Sequence, residues 1–363
     1  MRVLILGGTG AMGIHLSRIL EERGDNVHVT SRKQRTSTGK INYIIGNAHD
    51  LQFISKIIKY DYDAVIDFMV YSEQELRDRI ELILASTKQY IFLSSSRVYA
   101  NLKKPLTEDS ARLLDVCDDE EYLATQEYAL EKARQENILM SANTKNWTII
   151  RPYITYSNQR LQLGVYEKEV WLNRALCGRT IIFPKDIAEK LTTLTYGADV
   201  AKVIMRLLGN QNAFGQIVHV TGFTSMTWKE VLNIYLDTIE KVTQHRPQVI
   251  MPGDSKEIAN VMRNEYQVKY DRLFNRVFDN SKADKLCNEK IMYVDMREGL
   301  ERCLREYINS KPVGGLSPRI EAYFNRITGE RTSSSEFASS KAYIKYLLFR
   351  YTPLIKMKRS KSN

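Results

Sequence analysis

Cysteine is scarce in this chain: four residues in 363 (Cys117, Cys177, Cys287 and Cys303), scattered and with no CxxC among them. That spacing excludes a disulfide framework and a thiolate zinc site, and it fits a reducing compartment, so a cytoplasmic location is expected. No stretch approaches the roughly 18 uninterrupted apolar residues of a membrane-crossing helix. The opening MRVLILGGTG reaches glycine after a short apolar run and reads as a buried first strand, not as a secretory signal. Acid is missing from one region altogether. After Glu336 come seven bases (Lys341, Lys345, Arg350, Lys356, Lys358, Arg359, Lys361) and no carboxylate, so a net charge of +10 leaves only +3 on the rest of the chain. A body that weakly basic does not mark a nucleic-acid binder, and no nucleic-acid partner is expected.

What is present is ordinary globular composition, 43% hydrophobic and 26% charged, enough for two folding units or one large α/β domain with an appendage. The first half alternates short apolar segments with helix-like ones. Strands are predicted at 2–6, 26–30, 41–45, 64–68, 90–94 and 147–151, and helices at 11–23, 51–59, 72–85 and 121–139. That rhythm predicts an α/β fold with a doubly wound parallel sheet. After Arg151 the pattern becomes mixed. It predicts helices around 167–176, 199–208, 296–308 and from Thr227, with strands at 180–183, 217–221 and 248–251. Lys311–Ser317 reads as a linker. In the tail, Ile344, Leu347, Leu348 and Tyr351 form one apolar stripe of a helix ended by Pro353. Such a helix either packs on the body or on a second subunit, the plainer expectation, or makes peripheral contact with an anionic membrane.

The sharpest local signal is Gly7-Gly8-Thr9-Gly10-Ala11-Met12-Gly13, directly after the first strand. Glycines at this spacing permit a tight turn and close approach of the backbone to a diphosphate, which the following helix then meets with its N-terminal amides. A dinucleotide is the expected ligand. The second strand ends Thr30-Ser31-Arg32-Lys33 with no acid, and Arg32 suits a ribose 2′-phosphate, so NADP is favoured over NAD. Asn47, after the third strand, is a candidate adenine contact, or else it shapes a turn.

A second constellation is Tyr128-Ala129-Leu130-Glu131-Lys132, in which the phenol and the ammonium share a helix face one turn apart. A neighbouring cation favours the phenolate of a group that ordinarily titrates near pKa 10. The pair follows a fifth strand ending Ser94-Ser95-Ser96-Arg97-Val98-Tyr99, where hydroxyls meet the crevice. In the later part, Arg160, Arg272 and Arg276 are candidates for gripping a diphosphate, each otherwise a surface base or ion-pair partner. His15 and His219 read as packing residues.

Taken in order, the glycine turn, SSSRVY and YALEK resemble the extended short-chain dehydrogenase/reductases. Arg151-Pro152, Asp199-Val200-Ala201 and Asp279-Asn280-Ser281-Lys282 add to the likeness, which spans about residues 1–308. The resemblance implies a Rossmann-type core at 1–155 completed by parts of 190–222 and 268–285, a smaller mixed α/β substrate-binding region at 156–310, and a linker with a basic amphipathic tail at 311–363. It implies hydride transfer on a nucleotide-linked sugar and, by family habit, a homodimer. Tyr128 would be the acid/base, Lys132 would hold the nicotinamide ribose, and Ser95 would bond the reacting oxygen. The turn from Gly7 to Gly13, with Thr9, Gly10, Ala11 and Met12, would hold the cofactor. Arg32, Asn47, Asp67 and Phe68 would assist it. Ser96, Arg97, Tyr153, Arg160 and Arg276 would face the substrate. Sugar 4,6-dehydratases of this family carry Asp-Glu after the catalytic hydroxyl. Ser96 and Arg97 stand there instead, which disfavours water elimination. A non-catalytic or redox-sensing protein of the same fold, binding RNA or a protein partner, is the rival expectation.

Overall fold

The computed structural model describes residues 1–310 and 315–352. Most of the expected linker and Pro353 lie outside the described residues. The chain forms two compact units: 1–159 with 191–225 and 275–299, and 160–190 with 226–274 and the residues from 300 onward.

The first unit is built on seven strands: β1 (Arg2–Leu6), β2 (Asn26–Ser31), β3 (Ile41–Ile45), β4 (Tyr62–Asp67), β5 (Thr87–Leu93), β6 (Trp147–Pro152) and β7 (Gln216–Val220). Their spatial order is β7-β6-β5-β4-β1-β2-β3, and every pairing is parallel. Four helices alternate with them: α1 (Gly13–Glu22), α2 (Leu51–Ile57), α3 (Glu73–Ala85) and α4 (Tyr128–Met140), with α5 (Gly197–Leu207) coming later in the chain. Apolar side chains fill both faces of the sheet. Val3, Ile5, Val27 and Val29 meet α1 and α5 on one side, and Leu4, Leu6, Val65 and Phe92 point to the other. This is the doubly wound parallel sheet expected from the alternation. Its order reverses between β1 and β4, which opens the crevice beyond their carboxyl ends where such sheets bind ligands.

One element differs from expectation for a local reason. The helix expected over 121–139 is broken into Glu120–Leu123 and α4. Glu127 takes up extended backbone (φ −60°, ψ 142°), and its carboxylate accepts from the Ala129 amide at 2.7 Å. It therefore caps a new helix that begins at Tyr128.

The second unit contains the helices Lys168–Leu176 and Trp228–Thr243 and a short parallel pair, Ile181–Ile182 with Val249–Ile250. Trp171 stacks on Tyr235 at 4.5 Å between ring centroids. Two further helices close the described chain, α6 (Pro318–Thr328), which had no counterpart among the sequence expectations, and α7 (Ser340–Tyr351). They pack through Ala322, Phe337 and Tyr346. Two buried guanidinium groups anchor them. Arg174 donates to Glu321 (2.9 Å), Asn325 (2.8 Å), Glu330 (2.6 Å) and the Thr180 carbonyl. Arg179 pairs with Glu336 at 2.7 Å and Glu321 at 3.1 Å.

Because Arg174 has no exposed surface, truncating it strands buried carboxylate. Arg174→Ala is expected to cost about 3–5 kcal/mol of unfolding free energy and to speed proteolysis within 315–352. Unchanged urea unfolding and proteolysis would show that the anchor is ornamental.

Candidate active site

The glycine turn sits at the crevice. Gly7 has φ +69°, a left-handed conformation that a side chain would strain, and its amide donates to the Thr30 hydroxyl at 3.0 Å. Gly13 lies so close to Gly8 that a Cβ would stand 2.5 Å from the Gly8 backbone, which locks the start of α1 onto the end of β1. Gly10 between them opens to free space, with no atom within 4 Å of where its Cβ would be. No side chain caps α1 and no acid stands in its first turn. An open cradle of backbone under an uncapped helix start suits a diphosphate, so these residues fit a dinucleotide. Thr9, Ala11 and Met12 line the turn, half-buried. Arg32 and Lys33 follow β2 and are exposed. Asn47 is exposed too, and its carbonyl accepts from the His49 amide at 3.2 Å, the turn-shaping role.

Helix α4 brings the second set together. Tyr128, Lys132 and Glu136 occupy one stripe at successive four-residue steps. Glu136 is fully buried and takes a bidentate pair from Arg151 of β6, Nε and Nη2 each at 2.7 Å, together with the Ser94 hydroxyl at 2.6 Å. One turn earlier, Lys132 donates to the Leu93 carbonyl at the end of β5 (2.8 Å) and to that of Met69 (3.4 Å). Another turn earlier, Tyr128 is half-buried, with the Arg97 guanidinium 5.3 Å from its ring centroid. Arg97 pairs with Glu127, which also accepts from the Tyr122 hydroxyl at 3.2 Å. Ser95 thus lies on a segment tied to α4 on both sides, by Leu93 and by Arg97. Its oxygen accepts from the Arg97 amide at 3.2 Å.

The electrostatics are unusual at Lys132. Only 2% exposed, its ammonium is driven by burial down to about 8, against the opposing pull of Asp67 and Glu136. Asp67 is itself wholly buried at the end of β4, accepting from the Met69 amide and the Tyr90 hydroxyl, each at 2.9 Å. Burial raises its carboxyl above the usual range. It therefore faces Lys132 from within the protein. Phe68 follows, half-buried.

The residues expected to face substrate fare unevenly. Ser96 is buried, its hydroxyl donating to the Arg151 carbonyl at 2.8 Å. Arg276 is buried as well, donating to the Tyr99 carbonyl at 3.0 Å and lying 6.0 Å from the ring of buried Tyr153. These three side chains are committed inside the first unit rather than presented on a surface. Arg160, in the second unit, is half-exposed and pairs with Glu167 at 3.0 Å; Arg272 there is buried, donating to the Gly164 carbonyl. His219 donates from Nε2 to the Asp279 carbonyl at 2.6 Å, its Nδ1 lies 3.3 Å from the Tyr99 hydroxyl, and burial lowers its pKa, in keeping with packing. Sequence reasoning missed Glu127 and Glu136. The second was detectable, since it extends the Tyr128/Lys132 stripe by one more turn.

Comparison with known proteins gives a consistent picture. A model of the NAD dependent epimerase/dehydratase family matches residues 3–220. The chloroplast stem-loop binding protein of 41 kDa b from Arabidopsis thaliana is 28% identical over 244 residues, covering 62% of this chain and 60% of that protein. The match therefore spans under two thirds of that relative. UDP-N-acetyl-alpha-D-glucosaminuronate decarboxylase from Bacillus cytotoxicus is 23% identical over 316 residues, 79% of this chain and 91% of that one. The structure of UDP-glucuronic acid 4-epimerase from Bacillus cereus in complex with UDP-glucuronic acid and NAD superposes with TM-score 0.63 at 16% identity, covering 86% of this chain and 100% of that chain. At such identity the structural likeness shows the fold alone.

The Lys132 ammonium makes a measurable prediction. Its proton is held to about 8 in the folded chain against an ordinary 10.5. Unfolding therefore takes up a proton between those values, and stability rises with pH across that window. Below about 8 the cost of the buried cation is fully present. Relative to Lys132→Met, the parent should gain up to about 1.4 kcal/mol per pH unit between about pH 8 and 10. Parallel urea-unfolding profiles for the two proteins would refute a weakly basic buried ammonium.

Proposed function

The chain belongs to the NAD dependent epimerase/dehydratase family, and from that premise we propose that it is an NAD(P)-dependent epimerase or reductase acting on a nucleotide-linked sugar. The observation that carries this reading is the single stripe of α4, which sets Tyr128 and Lys132 beside the strand end that bears Ser95. A binding protein would need none of these three groups. The sugar nucleotide named with the Bacillus cytotoxicus relative supports the substrate class.

The turn at Gly7–Gly13 and the start of α1 would hold the diphosphate, Lys132 the nicotinamide ribose and Arg32 a 2′-phosphate. When bound, the nicotinamide supplies acceptance and return of a hydride. Tyr128 takes the proton of the sugar hydroxyl as its carbon is oxidised, and Ser95 donates a hydrogen bond to the oxygen that becomes a carbonyl. Lys132, as a cation below pH about 8, favours the phenolate that can accept that proton. Arg97, stacked over the same ring and fixed by Glu127, adds a second positive charge. Giving that proton back to the same oxygen would complete an epimerisation, and giving it to the carbonyl oxygen of an incoming keto sugar would serve a reduction. With Ser96 and Arg97 in place of an Asp-Glu pair, the chain lacks the side chains that would eliminate water.

Tyr128→Phe should lower turnover of a UDP-hexose or UDP-hexuronic acid by about 10²–10⁴-fold while dinucleotide affinity stays near that of the parent. Unchanged turnover would sink the assignment. Arg32→Asp should shift preference from NADP toward NAD in equilibrium binding; identical affinities for both in the variant and the parent would remove Arg32 from the cofactor site.

The name of the Arabidopsis relative supports a second reading, in which the fold binds an RNA stem-loop. Stem-loop affinity that is unaltered in Tyr128→Phe, in a protein that neither turns over sugar nucleotides nor binds a dinucleotide, would favour it.

A further inference from the structure

The C-terminal helices of the second unit sort their charges by direction. Residues 315–352 contain three acids, Glu321, Glu330 and Glu336, and six bases, Arg319, Arg326, Arg331, Lys341, Lys345 and Arg350. All three acids turn inward and are taken up by Arg174 and Arg179. Among the described residues none of the six bases forms an ion pair, and only Arg319 feels a nearby acid, Glu265. Arg326 and Arg350 bond only to groups of α6, α7 and the turn between them, namely the Phe349 carbonyl, the Tyr346 hydroxyl and the Gly329 carbonyl. Arg319 reaches the Asn260 carbonyl. The sequence beyond Thr352 adds Lys356, Lys358, Arg359 and Lys361 and no acid.

Helix α7 is also apolar on two sides. Tyr346, 1% exposed, faces α6 with Ala342 and Phe349 beside it. Ile344 and Leu348 each stand two residues from Tyr346, which at 3.6 residues per turn puts them on the opposite side, with Tyr351 on the same line. These three are 55%, 52% and 60% exposed. Lys341 and Lys345, both exposed, border that stripe along one side. The outer face is therefore a row of large apolar groups about 10 Å long from Ile344 to Tyr351, edged by the exposed bases Lys341 and Lys345.

We propose that this face of α7 docks on an anionic lipid surface, the apolar row entering the headgroup boundary and the bases meeting lipid phosphates. Two features select a lipid surface over other occupants. A second copy of this chain would bring Lys341 and Lys345 against like charges, with no free acid on the segment to offset them. An RNA backbone would be met by the cations but would leave Ile344 and Leu348 without an apolar partner. An interfacial helix uses both sets of residues at once. The inference rests on the second unit alone and stands apart from the reaction proposed above.

The test is co-sedimentation of the full chain with phosphatidylglycerol/phosphatidylcholine vesicles and with pure phosphatidylcholine vesicles. Binding is expected to the first and not the second, and should weaken as salt rises. Ile344→Ser/Leu348→Ser/Tyr351→Ser, all at exposed positions, should keep the parent's melting temperature and bind roughly tenfold more weakly or worse. Each of Lys341→Glu and Lys345→Glu should weaken binding by about fivefold or more. Absent binding, equal binding to both vesicle types, or a triple-serine variant that binds like the parent would each overturn the proposal. So would loss of a dimer on gel filtration in the triple-serine variant without any vesicle binding, which assigns the face to a second copy. Stem-loop RNA binding that only the glutamate variants weaken, again without vesicle binding, would assign the bases to nucleic acid.

Discussion

The placement of the candidate site depends on one buried ion pair, Glu136 with Arg151. Both side chains are out of contact with water, and the carboxylate receives two guanidinium bonds at 2.7 Å, the Ser94 hydroxyl, and a further contact from Arg112 at 3.2 Å. Taking two charges out of water is expensive, and a buried pair of this kind contributes little net stability compared with apolar residues of the same volume. What it does supply is position. A helix lying on a sheet through apolar contacts alone can slide by a turn or roll by a fraction of one. A fork that must meet its carboxylate in the plane allows neither. With Glu136 pinned to β6, the two preceding turns of α4 have no freedom left. Lys132 arrives at the carbonyl of Leu93, and Tyr128 at the segment that follows β5.

Lys132 then carries the cost of that arrangement. An ammonium without water is a poor tenant of a protein interior, and it remains charged near neutrality because Asp67 and Glu136 lie around it and backbone carbonyls accept its hydrogen bonds. Asp67 is in turn kept in place by Tyr90 and the Met69 amide. The result is a short buried relay of charges running from the end of β4 to the helix that bears the tyrosine. Its members come from segments more than sixty residues apart, and only the topology of the sheet makes them neighbours.

That explains which parts were readable from sequence. The glycine turn is local: each of its demands, the positive φ of Gly7 and the close approach of Gly13 to Gly8, is made within seven residues. The Tyr128/Lys132 step is local as well. Glu136 continues the same step, but its partner Arg151 is recognisable only once β5 and β6 are known to be adjacent. Arg276 shows a contact that only the fold reveals. A guanidinium reads as a phosphate fork in sequence, whereas its burial against Tyr99 and Tyr153 is a property of the folded chain. In the tail, the sequence predicts one apolar stripe at Ile344, Leu347, Leu348 and Tyr351; the structure splits it, with Leu347 packed in the cluster centred on Tyr346 and the other three exposed. A helix with apolar groups on two sides gives no single periodic signal, and the half-polar tyrosine hides the buried side.

The two units use buried arginine to different ends. In the first, Arg151 holds one carboxylate and thereby orients a helix. In the second, Arg174 and Arg179 hold three, and the consequence is felt on the far side of the helices they anchor. Every acid drawn inward to satisfy a buried guanidinium is an acid removed from the surface of the segment 315–352, where it would have offset an exposed base. Segregation of charge on the C-terminal segment is thus a direct product of how that segment is attached. Among the described residues, exposed Lys341 and Lys345 edge the outer stripe of α7, while the three acids that would offset them are held by Arg174 and Arg179. A segment tied down by its acids presents only its bases.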